Sequence, residues 1–278
     1  MRTWEQTLIR YPEFDPIAFT IGPLSVHWYG IMYVLGFIAA WLGLRWRSRK
    51  PGFPIAPAEV EDLVFYGALG VFVGGRIGYV LFYMVFYDLD GLLAEPLSIF
   101  YINRGGMSFH GGLLGVLLAM WLFAKRRGHA YFTVTDQIAP WIPPGLFFGR
   151  LGNFINGELW GGPTDLPWAI VYDGVARHPS QLYEALLEGV VLFTVLVWFS
   201  ARPRPRMAVS GLFLLLYGVF RVAVEFIRVP DVVDGVAQYL AWGWLTRGQV
   251  YSAPMVIVGA ILLALAYRRP RFEEAAKA

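Results

Sequence analysis

The sequence predicts an all-α integral membrane protein with seven transmembrane helices, the amino terminus outside, the carboxyl terminus cytoplasmic, and a small extracytoplasmic region. Three observations carry that reading. Of the 278 residues, 57% are hydrophobic and only 15% are charged, whereas soluble domains carry about 25% charged residues. The apolar residues gather in runs of roughly 20, the length that a hydrocarbon core of about 30 Å asks of a helix. Basic clusters close every second run, which sets an orientation by the positive-inside rule. Residues 1–278 read as a single polytopic membrane domain. The first 24 residues lack a basic region followed by an apolar core, so no cleaved signal peptide is expected.

The first span is expected at 25–46 and ends in Arg45, Arg47, Arg49 and Lys50. The second, 60–86, contains Gly74-Gly75-Arg76-Ile77-Gly78, and a Leu- and Asp-rich connection leads on to Asn103-Arg104-Gly105-Gly106. The third, 107–124, opens with MSFHGG and stops at Lys125-Arg126-Arg127. The fourth, 133–156, is interrupted by Pro140, Pro143 and Pro144, and a polar segment at 161–179 should then lie outside the membrane. The fifth, 181–199, ends at Arg202, Arg204 and Arg206. The sixth, 209–229, carries Tyr217, Arg221, Glu225 and Arg228, and the seventh, 250–267, runs into Arg268, Arg269 and Arg271. Segments at 87–104, 161–179 and 230–247 are expected on the extracytoplasmic side, together forming a small head region.

Composition also excludes function classes. A net charge of +3 invites a nucleic-acid partner, but the basic residues sit in short clusters between apolar runs, which membrane orientation explains; no nucleic acid is expected. The chain has no cysteine, which rules out disulfides, thiolate metal sites and a cysteine nucleophile. Histidines at 27, 110, 129 and 178 are too scattered to suggest a metal site.

Residues 149–162 read GRLGNFINGELWGG and place Arg150, Asn153, Asn156 and Glu158 among glycines at the end of an apolar run. An arginine in a bilayer costs several kcal/mol or more and normally faces a protein-lined cavity. Taken as a helix, Arg150, Asn153, Gly157 and Gly161 fall on one face. Arg76, Arg150 and Arg221 each lie about 20 to 25 Å from the cytoplasmic end of their span, at about 1.5 Å per residue. GRIGY (75–79) resembles GRLGN (149–153), the trace of a possible internal repeat.

Tyr217, Arg221, Glu225 and Arg228 stack on one helical face, either as an ion pair that locks helices or as an anion-binding face. Arg76 reads as a second phosphate ligand or as the partner of a carboxylate such as Glu158. His110, flanked by Gly105-Gly106 and Gly111-Gly112, is an interfacial hydrogen-bonder or a proton acceptor. In the run 178–184, HPSQLYE, Ser180 reads as an N-cap and Glu184 as a favourable charge at the positive helix end. Tyr29, in HWYG (27–30), stands at the outer end of span one, and Asp136 with Gln137 reads as structural. These residues describe an arginine-lined pocket for an anionic, lipid-soluble molecule. An enzyme, a transporter or flippase of an anionic lipid, and a scaffold held by arginines all remain open on this ground.

Six runs resemble the bacterial prolipoprotein diacylglyceryl transferase family: HWYG (27–30), GGRIGYVLFY (74–83), GGMSFHGG (105–112), GRLGNFINGELWG (149–161), HPSQLYEALLEG (178–189) and YGVFRVAVEFIRVPD (217–231). They follow the family's order and cover nearly the whole chain. The resemblance implies transfer of a diacylglyceryl group from phosphatidylglycerol to the lipobox cysteine thiol of a prolipoprotein signal peptide. A thioether forms and glycerol 1-phosphate leaves, the first step of bacterial lipoprotein maturation. It implies no metal and no soluble cofactor, a place in the bacterial inner (cytoplasmic) membrane among its lipids, and a site towards the extracytoplasmic side. By analogy, His110 assists thiol deprotonation, while Arg150 and Arg221 hold the leaving phosphate. Tyr29, Arg76, Asn153, Glu158, Gly161, Tyr217 and Glu225 fall to head-group binding and arginine positioning.

Overall fold

A bilayer core offers no water to satisfy backbone N–H and C=O groups, so an apolar run there must bond within itself as a helix. The long apolar runs of this chain do so. The computed structural model describes residues 9–101, 105–229, 232–233, 236–237 and 239–268. Asn103-Arg104, Arg269 and Arg271, and much of the segment 230–238, lie outside the described residues. In chain order the helices are α1 (Trp28–Ser48), α2 (Pro57–Tyr87), α3 (Leu89–Ala94), α4 (Phe109–Arg127), α5 (Tyr131–Ile138), α6 (Ile142–Ile155), α7 (Ser180–Phe199), α8 (Ala208–Glu225) and α9 (Arg247–Arg268).

Five of these, α1, α2, α7, α8 and α9, are long and apolar enough to cross a membrane. The expected third and fourth spans are helical but differ in kind. α4 is 19 residues long and closes in Lys125, Arg126 and Arg127, which shortens its apolar stretch. The fourth is broken: α5 stops at Ile138, a 3₁₀ turn runs over Ala139–Trp141, and α6 begins at Ile142. Pro140 lacks an amide donor, whereas Pro143 and Pro144 fall in the first turn of α6, where the missing donor costs little. The sixth helix ends at Glu225, four residues before the expected boundary.

The all-α expectation also omits short strands. β1 (Ile9–Arg10) runs parallel to β4 (Ile170–Tyr172), which pairs antiparallel with β5 (Val175–Arg177). The β4–β5 turn is Asp173-Gly174, both at positive φ (50° and 73°), as a two-residue hairpin turn requires. β2 (Ile17–Ile21) and β3 (Leu24–His27) form a second hairpin, and β6 (Val232–Val233) and β7 (Val236–Ala237) a third. Two of these pairings use the segments 161–179 and 230–247 that the sequence places outside the membrane.

The chain divides into two compact units, one built from residues before Trp41 and after Thr135, the other from Trp41–Thr135. In the second unit, α2 and α4 meet along glycines. A Cβ on Gly70 would lie 2.7 Å from the Gly115 carbonyl oxygen, and one on Gly74 would lie 2.7 Å from the Gly115 Cα. Such close backbone approach is how membrane helices associate where burial of apolar area gives no driving force. In the first unit, Leu192 and Leu196 of α7 cluster with Val209 and Tyr217 of α8 and with Ala139. Gly189 of α7 faces Phe147 of α6, where a Cβ would come within 2.6 Å of the Phe147 Cβ.

Asp136 of α5 is buried and holds the start of α8. Its carboxylate accepts from the amides of Met207 (2.7 Å) and Ser210 (2.8 Å) and from the Ser210 hydroxyl (2.6 Å). It thereby satisfies first-turn N–H groups that no intrahelical carbonyl can reach. We predict that Asp136→Ala lowers stability by about 1–3 kcal/mol, read as a lower thermal midpoint of the purified protein, with Asp136→Asn in between. A midpoint unchanged in Asp136→Ala would show that the carboxylate does not hold α8.

Candidate functional site

Six charged side chains of the first unit converge. α6 supplies Arg150, α7 supplies Glu184 and Glu188, α8 supplies Arg221 and Glu225, and the chain just beyond α8 supplies Arg228. The Arg150 Nε lies 3.1 Å from Glu184, and its Nη2 donates to Glu188 at 3.2 Å. Arg221 Nη1 lies 3.1 Å from Glu184 and 2.7 Å from Glu225, and Arg228 Nη1 lies 3.8 Å from Glu184. The Glu184 and Glu188 side chains are both 0% exposed. Three guanidiniums face three carboxylates, so no net charge is left in the cluster. Their mutual attraction offsets part of the cost of taking each charge out of water.

Local sequence explains the convergence. α7 opens into a π-helical turn over Ala185–Val191, directly after Glu184 and around Glu188. Such turns are rare inside helices and frequent at functional positions. Gly189, in the same turn, lets α6 approach closely. Both Glu184 oxygens lie at ion-pair distance from guanidinium nitrogens yet outside hydrogen-bond alignment. Charge rather than directed bonds holds that carboxylate.

A second feature is the turn that carries Glu158. Its carboxylate accepts from the side-chain amides of Asn153 (2.9 Å) and Asn156 (3.2 Å). The turn is tight, with Gly157 at φ 67° and Leu159 at φ 65°, a conformation that costs a non-glycine residue energy and must be held from outside. Ser180 and Gln181 do this. Ser180 donates to the Leu159 carbonyl at 2.6 Å and the Gln181 amide donates to the Glu158 carbonyl. Gly161 donates its amide to the His178 carbonyl (3.0 Å). A Cβ there would sit 2.6 Å from the His178 Cβ and 2.9 Å from the Ile227 carbonyl oxygen. Tyr29 lies against Gly152, where a Cβ would come 2.8 Å from its ring. Tyr217 is buried one turn before Arg221 and stacks on Phe213 at 5.9 Å.

Arg76 and His110 belong to the other unit. Arg76 spends its donors on four carbonyls, those of Ser98 (2.6 Å), Ile99 (2.8 Å), Gly105 (2.9 Å) and Gly106 (2.8 Å). Gly105 and Gly106, at φ 82° and 81°, turn those carbonyls towards it. Among the described residues its hydrogen bonds go to these carbonyls rather than to Glu158. His110 is exposed as the second residue of α4, edge-on to Phe109 at 5.6 Å, and Ser108 caps that helix by accepting from the Gly111 amide at 3.2 Å.

Several sequence expectations are corrected. The helix through Arg150 and Asn153 ends at Ile155, so Gly157 and Gly161 do not continue its face. Arg228 is past the end of α8 and reaches Glu184 from a β-type pairing of its backbone with Gly161. Ser180 is not a cap; the N-cap is Pro179. Glu184 is not a helix-end charge but the carboxylate that three arginines share, and Glu188 was missed altogether. A signal for both existed: two carboxylates four residues apart on an apolar helix need buried cations opposite them.

Chemically, the cluster is a set of guanidinium forks in a water-poor setting, able to bind an anion bidentately. Fold and site together define a multi-pass membrane protein in which three arginines and three glutamates gather at and just beyond the helix ends. The family model described as prolipoprotein diacylglyceryl transferase matches residues 16–265. Phosphatidylglycerol–prolipoprotein diacylglyceryl transferase of Methylococcus capsulatus is 57% identical over 266 residues, covering 94% of this chain and 99% of that protein. The enzymes of the same name from Oleidesulfovibrio alaskensis and Coxiella burnetii are 56% and 53% identical, covering 95% and 94% of this chain and 97% and 98% of theirs. This chain belongs to the prolipoprotein diacylglyceryl transferase family.

Glu184→Gln keeps the side chain's shape and removes the shared charge, leaving three cations against two anions. Removing one partner of a buried ion pair typically costs about 3–5 kcal/mol. We therefore expect a thermal midpoint well below that of Arg228→Lys, which keeps all charges. Equal midpoints for the two variants would mean that Glu184 is not the electrostatic centre.

Proposed function

We propose that this chain transfers the diacylglyceryl group of phosphatidylglycerol to the lipobox cysteine thiol of a prolipoprotein. The observation that carries this reading is the pair Arg150 and Arg221, each 3.1 Å from the same buried carboxylate. It is a ready-made phosphate site in a chain whose relatives are named for this reaction. The sulfur attacks the glyceryl carbon bonded to the phosphate oxygen; the carbon–sulfur bond forms as the carbon–oxygen bond breaks, and glycerol 1-phosphate leaves. Thiolate is the competent nucleophile, so the thiol proton must first be taken up, a role given to His110. Arg150 and Arg221 hold the phosphate as its negative charge grows.

The remaining roles are part of the same proposal. Glu225 and Tyr217 orient Arg221 on α8. Asn153 fixes Glu158, and Gly161 admits the close backbone pairing that sets that turn against His178. Tyr29, packed on Gly152, and Glu158 face the head group. Arg76 holds the carbonyls of Ser98, Ile99, Gly105 and Gly106 and positions those residues for the substrate. We propose seven crossings of the bacterial inner membrane with the amino terminus outside and the carboxyl terminus cytoplasmic, and with chemistry towards the extracytoplasmic side. The substrates are phosphatidylglycerol, drawn from the membrane lipids, and the lipobox segment of the signal peptide. No cofactor enters the reaction.

The test is transfer of labelled diacylglyceryl from phosphatidylglycerol to a lipobox peptide by purified protein in liposomes. Wild type forms the thioether. Arg150→Ala and Arg221→Ala lose activity by about a hundredfold or more, the scale seen when a transition-state charge partner is removed, and a Cys→Ser peptide gives no product. Folded wild type that makes no thioether but moves lipid between leaflets would replace the transferase with a transporter.

A further inference from the structure

We propose that an apolar groove between α8 and α9, beneath Trp244, holds one acyl chain of the donor phospholipid, whose ester carbonyl accepts a hydrogen bond from the Gln249 side-chain amide. This rests on the transfer reaction proposed above. The groove has a volume of about 420 Å³ and is walled by Val222, Phe226, Trp244, Val250, Ala253 and Ile257. That is within the roughly 300–1,000 Å³ of ordinary ligand cavities. Val222 comes from α8 and Val250, Ala253 and Ile257 from α9, both of membrane-spanning length, while Phe226 and Trp244 flank those helices. Trp244 stacks on Phe226 at 6.2 Å and on the exposed Trp242 at 5.9 Å, an aromatic rim of the kind that settles at a membrane–water interface.

Gln249 is the polar residue of this groove, and it is 4% exposed. Half of its side chain is explained. Its Oε1 accepts from the Thr246 amide at 3.0 Å while the Thr246 hydroxyl accepts from the Gln249 amide at 3.3 Å, a reciprocal cap at the start of α9. A glutamate would cap equally well. What glutamine adds is an NH₂ group, and among the described residues the Nε2 has no hydrogen-bond partner. A buried donor left unpaired loses its hydrogen bond to water with nothing in return, so an acceptor supplied by a ligand resolves it.

A short chain of side chains also links the edge of the groove to the charge cluster. The Thr246 hydroxyl donates to Glu225 at 2.8 Å, and Glu225 pairs with Arg221 at 2.7 Å. Gly248 has no side chain where the Glu225 carboxylate lies; a Cβ there would be 2.6 Å from its Cδ. Phosphate at Arg221, ester at Gln249 and chain in the groove reproduce the order of groups along a phospholipid. The other hydrophobic substrate fits less well, because a helical signal peptide commits its carbonyls to its own helix.

The experiment uses the full chain in liposomes with phosphatidylglycerol bearing a diazirine at the end of one acyl chain, and maps labelled residues by mass spectrometry alongside transfer assays. Labelling is expected at Val222, Ala253 and Ile257. Ala253→Trp, which fills the groove, should cut that labelling and raise KM for the lipid about tenfold, the effect of roughly 1.4 kcal/mol, with the change falling on KM rather than kcat. Gln249→Glu, which keeps the cap and removes the donor, should raise KM in the same direction. Ile257→Trp replaces Ala253→Trp if the latter does not fold. Unchanged labelling and KM in the folded filling variant, or equal labelling by a phosphatidylethanolamine probe, would overturn the proposal. Groove labelling without any thioether product would sink the transfer reaction and leave a lipid site; thioether product without groove labelling would do the reverse.

Discussion

The need to neutralise three guanidiniums that are only 12–17% exposed constrains the first unit more than any other requirement. Arg150, Arg221 and Arg228 come from different parts of the chain, and a lone guanidinium among membrane helices is costly on any scale. Glu184 meets all three, and Glu188 and Glu225 supply the remaining two negative charges. Other features follow from bringing those groups together. Gly189 draws α6 against α7, the widened turn of α7 carries Glu188, and the Gly161–Arg228 pairing delivers the third cation from outside the helix. The neighbouring run HPSQLYE thus does two jobs within seven residues. Ser180 and Gln181 pin the strained turn under Glu158, and Glu184 gathers the arginines.

Much of this was legible from the residues, and the failures have physical causes. Long apolar runs and terminal basic clusters located every membrane-length helix to within a few residues, because burial of backbone polar groups leaves a bilayer segment little choice. Arg150, Arg221 and Glu225 stood out as charges inside those runs. Arg228 and Gly161 were misplaced because helical spacing was carried past Ile155 and Glu225, where the helices stop. The β4–β5 hairpin went unread although Asp173-Gly174 between Ile170–Tyr172 and Val175–Arg177 is a strong turn signal; its strands are only three residues each. Glu184 was hidden by a plausible local reading, since an acid in a first turn already has a helix dipole to favour it.

The pair GRIGY and GRLGN shows where local sequence loses its authority. Three identical residues in five give the two arginines similar helical surroundings, yet Arg76 bonds to four carbonyls and Arg150 to two carboxylates. A guanidinium has five donors and takes whatever acceptors the fold brings. For Arg76 these are the carbonyls of Ser98 and Ile99 and of two glycines at positive φ, Gly105 and Gly106. For Arg150 they are side chains on a helix some thirty residues further on. The partners, not the motif, decide whether an arginine shapes a loop or offers charge to a ligand.

That distinction bears on the proposed chemistry. An arginine with four of its five donors engaged in well-aligned bonds has little left for a phosphate, and Arg76 fits that description. Arg150 and Arg221 differ, because their contacts with Glu184 are close but not aligned as hydrogen bonds. Glu184 holds them in place by charge, and the directed bond Arg150 makes within the cluster is the long one, 3.2 Å, from its Nη2 to Glu188. A phosphate arriving beside them exchanges no strong directed bond for its own, and the arginines need little reorganisation as charge builds on the leaving oxygen. Lysine could balance Glu184 as a point charge, but it lacks the planar fork that serves carboxylate and phosphate at once. The same economy extends through Glu225 and Thr246 to the first turn of α9, so that the charge cluster and the apolar groove are joined by a short chain of side chains rather than by a conformational change.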